Sequence, residues 1–169
     1  MSTRARLGIA AVVALLSAVG IGVVVAGWVS GHGNARLPIG LRATPGRAPF
    51  AGYREVRIKI GRRCARAIVA ETNVQRAQGL RGAADLGPYA GMLFVMGGDS
   101  NVAFTMEGVS DALDIAWYSV DGTRVDTARM RPCPPTASCP VYAGRQRYRY
   151  ALEVPDGAAA PARLDPCSA

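Results

Sequence analysis

Histidine is nearly absent from this chain of 169 residues, because His32 is its only example. His32 lies before the segment that has the pattern of a folded domain. A Ser-His-Asp or Cys-His nucleophilic site needs an imidazole as its base, so the domain cannot assemble one. Zinc and iron sites built on histidine are excluded for the same reason. Any catalysis would have to use carboxylates, tyrosine, arginine or a thiol.

Acidic residues are missing from residues 1–52, and Lys59 is the only lysine in the chain. The net charge of +8 therefore divides into +5 for residues 1–52, from five arginines and no acid, and +3 for residues 53–169, from 15 bases and 12 acids. Arginine-rich surfaces can bind phosphates, but a mildly basic domain favours a simple compositional bias. Nucleic acid is therefore not an expected partner.

A long uncharged run extends from Leu7 to Val29. As a helix at ~1.5 Å per residue it would reach about 35 Å, enough to cross a bilayer core. Arg4 and Arg6 precede it, which favours a cytoplasmic N-terminus and a domain outside. The alternative is a signal peptide that is cleaved to give a secreted protein, although such segments are usually shorter. We expect an uncleaved single-pass anchor at 7–29 with the lipid bilayer as its partner.

The remaining chain divides by composition. Residues 1–6 form the cytoplasmic N-terminus, and residues 30–52, rich in Gly, Pro and Arg, are predicted to be a flexible linker. Residues 53–169 form the extracytoplasmic domain. Its alternating and continuous apolar stretches predict about seven short strands. The expected class is α+β, mainly antiparallel, with a compact sheet or partly open barrel and one short helix.

The one helix is predicted from its boundary residues. Thr72 and Gln75 have the spacing of a capping box, in which each side chain bonds the other residue's backbone amide. Gly79 is placed to end the helix, because glycine readily adopts the left-handed conformation found there. Asp121-Gly122 predicts a hairpin turn between two later strands.

The four cysteines allow more than one interpretation. Four thiolates can hold zinc, but structural zinc sites usually pair closely spaced cysteines, and a redox motif Cys-x-x-Cys is absent. An even number outside the cytoplasm favours two disulfides, for which three pairings are possible. Cys133 with Cys139 closes the shortest loop, which would leave Cys64 to pair with Cys167.

Two carboxylates within apolar strands are candidate functional groups. Asp114 lies between Leu113 and Ile115, and either serves as a binding or acid–base group or forms a structural ion pair, with Arg76 as the candidate partner. Glu153 has a similar setting and could join Asp114 in a carboxylate pair of the kind glycosidases use. A solvent-facing strand surface is the favoured alternative for Glu153.

Two further groups are weaker candidates. Glu107, Asp111 and Asp114 lie close together in sequence and could bind a hard cation such as calcium, but no EF-hand pattern is present. Arginines and tyrosines alternate between 142 and 150. Such a stretch can bind nucleic acid or glycans, although packed tyrosines with solvated arginines are favoured. We expect neither a metal nor a cofactor.

The ordered motifs of the domain together resemble a known family, the domain of unknown function 192, also called uncharacterised protein family 0127. The resemblance covers about residues 55–157. It is carried by the following segments: Glu71-Thr72, Gln75-Arg76, Gly79-Leu80, Gly91-Met92-Leu93-Phe94, Phe104-x-Met106, Leu113-Asp114-Ile115-Ala116, the Cys133–Cys139 loop and Tyr150-x-Leu152-Glu153-Val154. The resemblance implies a compact, mainly β fold in a small envelope or secreted protein. It implies no activity, substrate or catalytic residue.

One segment departs from the family pattern. Where relatives commonly have Phe-Trp-Met-Lys-Asn-Thr, this chain has Phe-Thr-Met-Glu-Gly-Val at 104–109. An aromatic residue is lost and a charge is reversed. If this segment lines a ligand site in relatives, the site is altered or lost here.

The expected function is that of a non-catalytic binding or accessory module of the cell envelope. Its partner would be a small molecule or an envelope component, bound in a groove near Arg76, Met92, Met106, Asp114 and Glu153. The runner-up is a carboxylate-based hydrolase acting on envelope glycan, for which two carboxylates about 5–10 Å apart in one cleft would be required. A third possibility is a purely structural envelope protein, which would have no concave pocket.

Overall fold

The structure is a computed structural model that describes residues 35–134 and 138–167. Strands and one helix follow one another along this part of the chain. In order they are β1 (Ala43–Pro45), β2 (Arg54–Ile60), β3 (Arg63–Ala70), α1 (Asn73–Gln78), β4 (Met92–Ser100), β5 (Phe104–Thr105), β6 (Leu113–Tyr118), β7 (Arg124–Met130), β8 (Val141–Tyr142) and β9 (Tyr148–Pro155).

Seven strands form one mixed sheet in the order β1-β2-β3-β4-β9-β6-β7, and β5 pairs with β8 in a separate small sheet. Only β3 and β4 run parallel, because the chain crosses from one to the other through α1. The other pairs are antiparallel. The mainly antiparallel fold with one short helix is thus confirmed. Of the two expected forms, a compact sheet or a partly open barrel, the structure has the sheet, because β1 and β7 lie at its opposite edges and do not close it into a barrel.

Apolar residues are buried on both faces of the large sheet, which explains the continuous apolar runs of β4 and β9. One core contains Met92, Phe94, Ile115 and Trp117 beneath α1 and the loops that follow it. The opposite core contains Leu93, Val95 and other alternate residues beneath both ends of the described chain, including Leu41 and Leu164. Successive side chains of a strand point to opposite faces, so each central strand supplies both cores.

The local predictions around the helix are confirmed. The Thr72 hydroxyl accepts a hydrogen bond from the Gln75 amide at 3.2 Å, and the Gln75 side chain accepts from the Thr72 amide at 3.1 Å. Gly79 ends the helix with a positive φ of 52°. The hairpin predicted at Asp121-Gly122 joins β6 to β7, and a second hairpin joins β2 to β3. β4 continues past its apolar part, which ends at Met96, as far as Ser100.

The linker prediction is corrected for residues 35–52, because part of this segment joins the domain. Residues 43–45 form the edge strand β1, and Leu41 is buried. A buried carboxylate, Glu55, anchors the segment: it accepts a hydrogen bond from the Tyr89 hydroxyl at 2.8 Å and pairs with Arg66 at 3.2 Å. The Tyr89 hydroxyl also accepts from the Arg47 amide at 2.6 Å. Composition alone could not reveal these contacts.

Two disulfides are present, Cys64–Cys167 and Cys133–Cys139. This is the pairing that the shortest-loop argument favoured. The first ties the end of the described chain to the start of β3, and the second closes a short loop before β8.

In the described residues no helix is long and apolar enough to cross a membrane. The predicted anchor at 7–29 and the cytoplasmic segment 1–6 lie outside the described residues.

Candidate functional site

A cavity of about 370 Å³ lies beside α1 on the face of the sheet that the helix covers. Its walls come from the helix and the turn after it, from β4, from the segment 102–105 and from β9. The lining side chains are mostly apolar, and they include Leu80, Phe94, Met96 and Phe104. Since one liquid water occupies about 30 Å³, the cavity has room for roughly a dozen non-hydrogen atoms.

Two glycines position these walls. Gly79 lets the chain turn close to β4, where a Cβ atom added to it would lie 3.6 Å from the Phe94 ring. Gly91 precedes β4 and packs directly against β9. A Cβ atom there would lie 2.1 Å from the carbonyl oxygen of Glu153, so only glycine permits this approach. This close contact lets β4 pair with β9 in the register that sets Met92 opposite Glu153, and Glu153 lines the cavity there.

Glu153 is the buried carboxyl of the cavity, with only 4% of its surface exposed. The residues opposite it on the neighbouring strands are Met92 and Ile115, both apolar and buried. None of the described residues donates a hydrogen bond to its carboxyl group. Burial raises the pKa of Glu153 to about 8, an effect that the charge of Arg81 partly opposes. At neutral pH the carboxyl is therefore mostly protonated and can donate a hydrogen bond.

Arg76 lines the cavity from α1, and its guanidinium joins the helix to the sheet. One terminal nitrogen donates to the Val95 carbonyl at 2.8 Å and also to the Glu71 carbonyl. The other terminal nitrogen bonds the Asn73 side chain. These partners are neutral oxygens, so the positive charge of Arg76 is not neutralised by a carboxylate. Its partial burial lowers the pKa of the guanidinium, since burial disfavours the charged form.

Arg81 lines the cavity from the turn after α1 and is half-buried. Its guanidinium bonds the Ala77 carbonyl and lies 3.8 Å from the carboxylate of Glu107. That carboxylate belongs to a side chain that is 73% exposed, so water screens the pair and weakens it. The more exposed part of the cavity thus holds two guanidinium groups, while its buried part holds a neutral carboxyl.

The structure brings together only some of the residues predicted to form a groove. Arg76 and Glu153 both line the cavity. Met92 and Met106 are fully buried in the core on the same face of the sheet and do not line it. Asp114 lies on the opposite face, because it pairs with Val154 rather than with Glu153 across β6 and β9. It therefore cannot share a ligand with the cavity residues.

Two predicted carboxylate partnerships are wrong for the same reason. Asp114 accepts a hydrogen bond from the Gly157 amide at 3.1 Å, and its expected partner Arg76 bonds carbonyl and amide oxygens instead. Asp114 and Glu153 point to opposite faces, so they do not form a glycosidase-like pair. A half-buried strand can place neighbouring residues on either face, and only the pairing register decides which one.

Sequence reasoning missed Arg81 and the apolar wall formed by Leu80, Met96 and Phe104. Leu80 and Arg81 lie in a turn, while Met96 and Phe104 lie in two different strands. No single sequence motif contains all four, so their spacing along the chain does not indicate a shared site. The expectation that Glu153 faces solvent is also wrong, since only 4% of its surface is exposed. In the described residues no group of three or more Asp, Glu, Cys or His side chains could hold a metal ion. Glu107, Asp111 and Asp114 therefore do not form the predicted cation site.

Two crystal structures share this fold. A protein of unknown function from Novosphingobium aromaticivorans is 24% identical, with a TM-score of 0.57 over 68% of this chain and 83% of that one. A protein from Sinorhizobium meliloti, provisionally described as a transcription regulator, is 26% identical, with a TM-score of 0.54 over 71% of this chain and 97% of that one. No curated protein matches the chain.

The family model described as DUF192, Uncharacterized ACR, matches residues 56–168. This range begins in β2 and includes both disulfides and the complete cavity lining. Because the match covers well over half of the sequence, the chain belongs to the DUF192 family.

Proposed function

We propose that this domain is a non-catalytic binding module that takes a small organic molecule into the cavity beside α1. One observation carries the proposal: the buried carboxyl of Glu153 lines an apolar cavity of about 370 Å³ and has no hydrogen-bond partner among the described residues. In the described residues the fully buried side-chain polar atom without a partner is Nε1 of Trp117, so the Glu153 carboxyl still reaches the open space of the cavity. A ligand with a complementary polar atom would supply the hydrogen bond that this carboxyl lacks. An apolar cavity with few polar groups is typical of small-molecule sites.

The runner-up, a carboxylate-based hydrolase, has less support. Such an enzyme needs a second carboxyl in the same cleft to act as nucleophile or base. Glu153 is the only carboxyl among the residues that line this cavity, and Asp114 is on the other face of the sheet. A single neutral carboxyl is suited to holding a ligand rather than to hydrolysing one.

We further propose that the domain acts outside the cytoplasm, anchored through residues 7–29. The support is the uncharged run itself, the arginines before it and the presence of two disulfides, which persist in oxidising compartments. Protease added to intact spheroplasts is expected to digest the domain while leaving a cytoplasmic control protein intact. Protection of the domain from that protease contradicts this location.

Native mass spectrometry of the full-length chain, produced in an oxidising host and released from detergent, tests the binding proposal. The expected result is a non-covalent mass of a small molecule that is retained by the protein. The Ala77→Trp variant should lose it, because Ala77 is exposed on α1 and lines the cavity, where an indole would occupy the entrance.

Ala159→Trp is the matched control, since Ala159 is also exposed but lies far along the chain and outside the cavity lining. It should retain the ligand. Retention of the same mass by Ala77→Trp contradicts the assignment to this cavity. Absence of a retained mass, together with no saturable binding from a library of small apolar compounds, contradicts the proposed function.

A further inference from the structure

We propose that the ligand of this cavity is a small organic anion, a carboxylate on an apolar body, which Arg81 and Glu153 recognise together. This inference rests on the proposed binding function and specifies its ligand. It assigns a charge to the ligand, a position to its anionic group and a role to the neutral carboxyl of Glu153.

The charges around the cavity favour an anion. Arg76, Arg81 and Glu153 are the charged or titratable residues that line it. With Glu153 neutral, the described residues that line the cavity carry two positive charges and no negative charge. A cleft with charges of one sign and low-dielectric walls attracts ligands of the opposite sign. A cation would meet both guanidinium groups and is therefore disfavoured.

Arg81 is the group available to hold the anion. Its carboxylate neighbour Glu107 is 3.8 Å away, beyond ordinary hydrogen-bond distance, and is largely exposed. Arg76 instead already donates to three oxygen atoms of the protein. A guanidinium offers five N–H donors in a planar fork that suits a carboxylate, so Arg81 can bind one without breaking a strong pair.

Glu153 is suited to complete this recognition in its protonated form. Its neighbours on β4 and β6 are Met92 and Ile115, and the segment 102–105 that faces it across the cavity contributes no titratable group. Among the described residues that line the cavity, Arg76 and Arg81 are the other charged groups, and the charge of Arg81 acts on Glu153. Because burial raises the pKa of Glu153 to about 8, its hydroxyl can donate to a carboxylate oxygen at neutral pH. Ionisation at higher pH replaces this donor by a repelling charge.

The size and walls of the cavity describe the body of the ligand. A volume of about 370 Å³ fits roughly a dozen non-hydrogen atoms. Phe94, Phe104 and Met96 supply aromatic and flexible apolar surface, against which a phenyl ring or a short alkyl chain can pack. A phenylalkyl or medium-chain carboxylate therefore satisfies both the apolar interior and the polar groups.

Calorimetric titration of the full-length chain with three matched probes tests the inference. The probes are 3-phenylpropionate, its amide and 3-phenylpropylamine, which share one apolar body and differ in charge. At about pH 6.5 the acid is expected to bind at least about tenfold more tightly than the amide, and the amine should bind most weakly. Raising the pH to about 9.5 should weaken acid binding by about tenfold or more and leave amide binding nearly unchanged.

Two variants separate the roles of the polar groups. Arg81→Gln should weaken binding of the acid by about tenfold and barely affect the amide. Glu153→Gln keeps a hydrogen-bond donor but cannot ionise, so acid binding should persist and lose its dependence on pH. A pH dependence that remains in Glu153→Gln contradicts the role of Glu153.

The outcomes distinguish this inference from the function on which it rests. Binding of the amide or the amine as tightly as the acid overturns the anion assignment, while the cavity remains a small-molecule site. Failure of all three probes, and of octanoate with its amide and amine, to give a signal that Ala77→Trp abolishes overturns both. Ala159→Trp serves again as the control that must bind as the unaltered chain does.

Discussion

Glu153 on β9 is paired directly with Met92 on β4, so a carboxyl group and a thioether are neighbours on the face of the sheet that α1 covers. Ile115 is the corresponding neighbour from β6. A carboxyl between two apolar strands has lost the hydration that would stabilise its charge. The properties expected of the cavity follow from this arrangement.

Glu153 should make the stability of the domain fall as the pH rises from about 4.5 to about 8. An acid whose pKa is raised in the folded state binds a proton there that the unfolded chain has released. Both states hold the proton below pH 4.5, the ordinary value, and the folded state loses it near pH 8. The free energy of unfolding should therefore decrease between these limits, by up to about 5 kcal/mol.

Denaturant unfolding of the unaltered chain and of Glu153→Gln, from about pH 5 to about pH 9, measures this effect. The difference in unfolding free energy between the two proteins should shift steadily in favour of Glu153→Gln as the pH rises. Other carboxyl groups titrate in both proteins and cancel in the difference. A difference that is constant across this range contradicts the raised pKa.

Gly91→Ala should damage the sheet beneath the cavity. The new Cβ atom would overlap the Glu153 carbonyl oxygen at 2.1 Å, and this backbone group cannot move aside as the end of a flexible side chain could. We expect a loss of more than about 3 kcal/mol in the free energy of unfolding. Gly98→Ala, within β4, is the control, because nothing lies within 4 Å of a Cβ atom there. Thermal unfolding of both variants provides the comparison, and equal midpoints contradict the close approach.

Arg76→Ala should loosen the contact between α1 and β4. Its guanidinium bonds the Val95 and Glu71 carbonyls, and the substitution leaves these partly buried acceptors without that donor. A loss of roughly 1–3 kcal/mol in stability is expected. Hydrogen exchange should also quicken at the amides of 73–79 before it does in the rest of the domain. Arg62→Ala, in the exposed turn between β2 and β3, should have almost no effect.

The two disulfides should contribute unequally to stability. Cys64 and Cys167 are 103 residues apart, whereas Cys133 and Cys139 are separated by 6. In the chain-entropy account, the longer loop stabilises by roughly 4–5 kcal/mol and the shorter by about 2 kcal/mol. Replacing each pair by alanine and measuring unfolding in denaturant separates them. A larger loss from the Cys133–Cys139 pair contradicts this expectation.

Much of the local structure was accessible from sequence because its signals are local. The capping box at Thr72 depends on two side chains three residues apart, and the β6–β7 hairpin depends on the turn residues Asp121 and Gly122. The Cys133–Cys139 pairing was favoured by the length of one loop. Each of these is decided by contacts between residues close in the chain, which composition and spacing describe directly.

The boundary of the linker and the faces occupied by Asp114 and Glu153 could not be predicted from such local signals. Residues 41–45 join the domain through contacts with strands far along the sequence, among them the pairing of Ala43 with Val56. The separation of Asp114 from Glu153 depends on the register between β6 and β9, where one residue of displacement moves a side chain to the other face. No property of either strand alone fixes that register.

By itself, the sequence determined which classes of catalytic site are excluded and which stretches of the chain would form strands. The absence of histidine from the domain excluded whole classes of catalytic site, and the apolar patterns predicted a mainly antiparallel sheet with one short helix. Only the tertiary structure decided that Glu153 and the two arginines face one cavity while Asp114 does not. A binding site consists of groups brought together from distant parts of the chain, and their meeting depends on strand order, register and burial.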